Sequence, residues 1–211
     1  MKYMSITNLV TAIIATILFC GCGSQKTKHK RITPLPAGIT VEHLQDCTIP
    51  VAFTPDDFHW MGGNLSLTVY NQDLYDVVDI SQMQVGDTII YAGEPMVINR
   101  FEERNGGIDI NGGLDEGGCC LAPNEGGTYV ARDWDDHATY TKLGKTEVAL
   151  AEDFIIIDCG EFPEDPNDTI RHDQKRYLEN LKSGRDDFFP LNTRVTIENG
   201  MVTEIQRRWI P

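Results

Sequence analysis

Leu65-Ser66-Leu67-Thr68-Val69-Tyr70 alternates apolar and polar side chains without a break. Successive side chains of an extended strand point to opposite faces, so a period of two marks a strand with one face in a core and the other in water. The same reading spreads outward along the chain. Cys47-Thr48-Ile49-Pro50-Val51-Ala52-Phe53 is a short strand-like run. Val85-Gly86-Asp87-Thr88-Ile89-Ile90-Tyr91 enters a strand through a glycine turn, and Ala92-Gly93-Glu94 leads back into Met96-Val97-Ile98. Asp153-Phe154-Ile155-Ile156-Ile157-Asp158 is a continuous apolar run and reads as the most deeply buried strand. Val195-Thr196-Ile197 and Val202-Thr203-Glu204-Ile205 flank Asn199-Gly200. Both of those turn residues tolerate positive φ, so this spacing predicts a hairpin.

Four Gly-Gly pairs fall at 106–107, 112–113, 117–118 and 126–127. Their spacing is too irregular for a repeat, and they read as glycine corners between short strands. One helix is predicted over residues 173–182, where Tyr177, Leu178 and Leu181 share a face. Asp168 or Asp173 would cap it and Gly184 would end it. Many short strands, many turns and one short α-helix predict a mainly β fold, a single small β-barrel or sandwich.

The N-terminus carries an address. Lys2 precedes the apolar run Leu9-Val10-Thr11-Ala12-Ile13-Ile14-Ala15-Thr16-Ile17-Leu18-Phe19. Eleven residues suit a signal peptide, whereas a membrane-spanning helix needs about 20. The segment Phe19-Cys20-Gly21-Cys22-Gly23-Ser24 that follows resembles the lipobox of bacterial lipoproteins. That resemblance implies a signal peptide over 1–21 and a diacylglyceryl group, with fatty chains such as palmitate, on Cys22. Phe19 departs from the Leu usual at its position. The alternative is an uncleaved signal anchor; Lys26, Lys28, Lys30 and Arg31 would favour it, and the shortness of the apolar run opposes it. Residues 22–45, basic and containing Pro34 and Pro36, read as a flexible tether. Residues 46–211 read as one acidic β-rich domain.

Charge bounds the partners. Residues 1–31 hold 5 of the 18 basic residues and no acid, so residues 32–211 carry 18 − 5 = 13 basic against 32 acidic side chains, a net of −19. A basic tether suits an anionic membrane surface. The acidic domain argues against nucleic acid as a partner. With Cys20 removed and Cys22 lipidated, Cys47, Cys119, Cys120 and Cys159 remain. An even number in an exported domain is consistent with two disulfides, in which Cys47 and Cys159 would pair with Cys119 and Cys120 in either order. Free thiols are the other reading, and a zinc site is disfavoured because neither Cys47 nor Cys159 has a cysteine two to four residues away.

Candidate chemistry is sparse. Asp56-Asp57, Asp133-Trp134-Asp135-Asp136, the acids of 161–168 and Asp186-Asp187 concentrate carboxylates. Asp133, Asp135 and Asp136 are the candidate metal ligands, with calcium the candidate cofactor, although no segment follows the EF-hand spacing. Trp60 and Trp134 each stand beside His and acids and are candidates for stacking on a ligand ring; burial in the core is the commoner use of Trp. Cys159 is followed by Gly160 and several acids, which disfavour a reactive thiolate. No serine-hydrolase elbow, zinc helix or phosphate-binding glycine loop is present. The Val-Gly-Asp-Thr-Ile segment at 85–89 and the closing Ile-Glu-Asn-Gly-Met-Val-Thr-Glu-Ile at 197–205 resemble segments of uncharacterised exported proteins of anaerobic gut bacteria. That resemblance implies location and no activity. The expectation is a lipid-anchored cell-envelope protein acting as a non-catalytic binding module for an envelope protein or glycan. The rivals are an envelope hydrolase that uses acidic residues, directed at glycans, and a calcium-binding domain.

Overall fold

The computed structural model describes residues 28–158, 170–172, 177, 188–208 and 210. Within them lie, in chain order, β1 (Arg31–Ile32), β2 (Cys47–Ala52), β3 (Phe58–His59), β4 (Asn64–Gln72), β5 (Leu74–Asp76), β6 (Thr88–Tyr91), β7 (Glu94–Val97) and β8 (Phe101–Arg104). The remaining strands are β9 (Gly107–Ile110), β10 (Cys119–Asn124), β11 (Thr128–Arg132), β12 (Tyr140–Asp158), β13 (Ile170–His172), β14 (Thr193–Glu198) and β15 (Met201–Arg207). Among the described residues a short helix, α1, spans Val77–Ser81. The fold is therefore mainly β, as its alternating runs predict. The helix expected over 173–182 lies, apart from Tyr177, outside the described residues; Tyr177 is helical.

Five strands close a barrel. The order is β12-β15-β14-β2-β4, and β4 pairs again with β12. Counted in chain order the barrel runs first, second, third, fifth, fourth and back to first, a Greek-key arrangement. Only the third and fifth strands, β12 and β15, run parallel. The alternation that opened this reading appears as Leu65, Leu67 and Val69 facing the barrel core, with Ser66 and Thr68 on the outer face. Ile49, Val51, Phe154, Ile156, Val195, Ile197, Val202 and Ile205 meet them from the other strands. Each such side chain contributes about 1.5–3 kcal/mol when it leaves water.

Closure depends on β12. Its first half pairs antiparallel with β4, from Tyr140 opposite Gln72 to Ala149 opposite Asn64. Its second half pairs parallel with β15 up to Asp158 opposite Arg207. The register shifts between Lys142 and Gly144 and again between Leu150 and Ile155. Such bulges bend a strand and sharpen its twist, which lets one 19-residue strand serve both sides of a small barrel.

Between the second and third barrel strands the chain builds a second module. A five-stranded antiparallel sheet, β5-β11-β10-β9-β8, is joined by a three-stranded sheet, β1-β6-β7. Tyr75, Ile80, Met83, Ile89, Ile98, Ile108, Ile110, Cys119, Leu121 and Ala131 form its core, separate from that of the barrel. The glycine pairs are its corners. Gly118 shows why two glycines stand together: a β-carbon there would sit 1.9 Å from the Ile110 carbonyl oxygen. Asn199 and Gly200, with φ of 53° and 76°, make the hairpin turn predicted for them.

Of the expected tether over 22–45, residues 22–27 lie outside the described residues. Residues 28–45 are part of the fold: β1 pairs parallel with β6, and Ile32 is fully buried in the second core. Leu35 donates its N–H to Leu74 O at 2.6 Å, and Leu44 packs into the barrel core. One apolar residue every few positions is enough to bind this segment to surfaces made by distant parts of the chain.

Candidate functional site

A groove of about 690 Å³ crosses the outer face of the barrel. Its floor comes from the second and third barrel strands, with Ser66, Leu67 and Thr68 of β4 beside Lys145, Thr146 and Glu147 of β12. The register sets these pairs: Thr68 lies opposite Lys145, and Ser66 opposite Glu147. Ala52 lies opposite Thr68 on the other side. Three charged groups of both signs thus stand among hydroxyls, with Asp57 at the rim.

Two core rings, almost wholly buried, back one side of the groove, and a buried charge packs against them. Phe53 stacks on Phe188 with ring centroids 4.4 Å apart. The Arg207 guanidinium lies over the other partner of that stack, 5.4 Å from the Phe188 centroid. Arg207 is itself buried and donates to Asp158 Oδ2 through Nε at 3.0 Å and Nη2 at 2.7 Å. Tyr177 donates its hydroxyl to the same oxygen. A buried guanidinium with paired and stacked contacts holds these rings in one arrangement.

Short side-chain bonds order the rest of the floor. His59 Nε2 and Ser66 Oγ are 2.9 Å apart, and Asn64 Nδ2 donates to Glu147 Oε1 at 3.1 Å. Asp57 Oδ2 accepts from Thr54 N at 2.6 Å, the back-reaching bond of a capping box on the turn Pro55–Asp57, and also from Thr54 Oγ1 at 2.9 Å. Lys145 has no ion-pair partner among the described residues, so its ammonium is open to a ligand.

The expected candidates lie elsewhere. Asp133, Asp135 and Asp136 do not converge on a metal site. Asp133 Oδ1 accepts from the Asp135 and His137 backbones at 3.0 and 2.8 Å, while Asp136 faces Arg132. Among the described residues no group of three or more His, Cys, Asp or Glu side chains is placed to hold a metal ion. The carboxylates instead shape a turn, the ordinary use of Asp between two strands. Trp60 stacks on Phe58 at 5.3 Å and packs near Phe154, with 40% of its surface exposed. Trp134 projects from its turn and is 68% exposed. Neither tryptophan lines the groove.

Cys47, Cys119 and Cys120 are free thiols, and Cys159 lies outside the described residues. The expected bridges do not form among the three because Cys47 belongs to the barrel and Cys119 and Cys120 to the other module. Burial pushes the Cys119 thiol up to about 12, and it raises Cys47 and Cys120 as well. Raised thiols are poor nucleophiles.

Ser66, Thr68, Lys145 and Glu147 escaped the sequence reading as a site. Their signal was present as polar positions in alternating runs, yet nothing in one sequence says which two runs pair. Comparison of the chain with known protein families, with curated proteins and with solved structures finds no match.

Proposed function

We propose that the chain is a lipid-anchored, non-catalytic binding module of the bacterial cell envelope, and that its groove takes an oligosaccharide. The observation that supports this most is the groove itself, an open trough floored by hydroxyls, the Glu147 carboxylate and the Lys145 ammonium, which has no ion-pair partner among the described residues. Sugars present hydroxyls along their edges, and the hydroxyls and charges of such a trough can exchange hydrogen bonds with them. Five-stranded Greek-key barrels of the OB type bind oligosaccharides and oligonucleotides across their second and third strands, the strands that floor the groove here. The analogy is one of fold alone. A net charge of −19 over residues 32–211 turns the choice away from nucleic acid. Anchoring rests on the lipobox-like Gly21-Cys22 and on the short apolar run before it. Among the described residues no helix is long and apolar enough to cross a membrane.

Titration of the mature full chain with soluble chito-oligosaccharides and muramyl glycan fragments tests the groove. Calorimetry should show saturable binding without cleavage. Lys145→Ala and Glu147→Ala should each weaken it by about tenfold, the cost of one charge-assisted hydrogen bond. Release of cleaved sugar, abolished by Glu147→Gln, would make the protein a hydrolase instead. Equal binding by the wild type and both variants would move the site out of the groove.

A further inference from the structure

Four large apolar side chains, Val77, Val78, Val85 and Val97, are 43 to 58% exposed on the second module. They surround one place, where the N-terminal segment docks. Val77 and Val78 precede Asp79, whose carboxylate holds the Lys30 ammonium. Val85 precedes Gly86, where an added β-carbon would stand 2.3 Å from the His29 imidazole. Val97 is the cross-strand partner of Thr88, which donates its N–H to Lys30 O at 2.9 Å.

The chain leading to that place is short. Lys30 is eight residues beyond Cys22. At most 3.3–3.6 Å per residue, the two are no more than about 29 Å apart. Lys26 and Lys28 lie within that stretch and no acid does. Asp79 and Asp87, the two acids that contact the docked segment, are already engaged, and Asp76 beside Val77 accepts from Val78 N. Asp79 pairs with Lys30, while Asp87 is buried and accepts from Lys30 N at 2.7 Å and Gln84 N at 2.8 Å, with His29 Nδ1 at 3.8 Å.

We propose that the face formed by Val77, Val78, Val85 and Val97 around the docked β1 strand is the surface on which the protein rests against the lipid bilayer. This rests on the lipid-anchored reading above. A lipid on Cys22 keeps the docked strand within about 29 Å of its anchor point. Exposed branched aliphatic groups with a basic leash are the chemistry that interfacial attachment uses. The remainder of the acidic molecule is repelled by an anionic surface, so the contact selects one orientation. The module that carries β1 lies toward the membrane, and the groove belongs to the barrel.

The test uses the full mature chain, purified from bacterial membranes, with the mass of its N-terminal peptide determined first. Val85→Trp, Val97→Trp and, as comparator, Met61→Trp on the barrel are each placed in phosphatidylethanolamine–phosphatidylglycerol vesicles with and without brominated acyl chains. The wild-type emission of the native tryptophans is subtracted. The added emission at positions 85 and 97 should fall at least twofold with brominated lipid, and that at 61 should stay unchanged. Having two variants guards against one that misfolds. Unquenched emission at both positions, with the lipid mass present on Cys22, would overturn the surface. Blue-shifted but unquenched emission would assign the face to a second copy or another protein, and would overturn it equally. A missing lipid mass would overturn the anchoring reading and the surface together.

Discussion

Cys119 sits fully buried on β10, among Tyr75, Ile110 and the rest of the second core, and carries a thiol that burial raises from 9.0 to about 12. A raised acid keeps its proton in the folded state after the unfolded chain has lost it. Its contribution to stability is therefore complete below pH 9 and is lost as pH climbs toward 12, at no more than about 1.4 kcal/mol per pH unit. Urea melts at pH 8 and pH 10 should show the wild type losing about 1 kcal/mol more than Cys119→Ala over that interval. Tyr75 works in the same direction at higher pH, since burial raises its phenol while its hydroxyl donates to Ile90 O at 2.5 Å. In the sequence, Cys119 was one member of a candidate disulfide set. Cysteines suggest bridges by their number, but whether two can meet depends on which core each strand enters, and adjacent residues such as Cys119 and Cys120 point to opposite faces of one strand.

At the scale of elements, the joint between the two modules depends on Asp73, which is fully buried between β4 and β5. Its carboxylate accepts from Thr139 Oγ1 at 2.7 Å, Thr141 Oγ1 at 2.5 Å and Ala92 N at 3.0 Å. Its backbone meets Thr139 O and Ala131 N, so one residue ties the outgoing strand to the returning one. Asp73→Ala would leave two hydroxyls and an N–H without their acceptor, a loss of about 2–4 kcal/mol. Chemical denaturation should show that loss, and an unchanged midpoint would mean that water replaces the carboxylate. Elements with a complete local signal were legible: β4 from its alternation, the β14–β15 hairpin from Asn199-Gly200, and the glycine corners from their doubled glycines. The first half of β12 was not, because Lys142, Gly144, Lys145 and Glu147 dilute its pattern and its closing role depends on strands far away in sequence. β1 was hidden for a similar reason. Its single buried residue, Ile32, follows four basic residues and precedes two prolines, and its partner β6 lies more than fifty residues on.

For the whole molecule, composition bears on the proposed surroundings more than on activity. A basic leader with a lipobox-like junction ahead of an acidic body is the pattern on which the proposed anchoring rests. Mainly β architecture followed from the many short alternating runs, but the division into two cores did not, since an apolar residue carries no label for the core it joins. The groove was half legible in the same sense: outward positions of β4 could be read, and their neighbours on β12 could not. Anchoring is the premise that joins the groove to an envelope ligand and the exposed valines to a bilayer. The most direct measurement is the mass of the N-terminal peptide from protein recovered in bacterial membranes. We predict a chain beginning at Cys22 and bearing a diacylglyceryl group with fatty acyl chains. A chain still beginning at Met1, or an unmodified Cys22, would contradict the account.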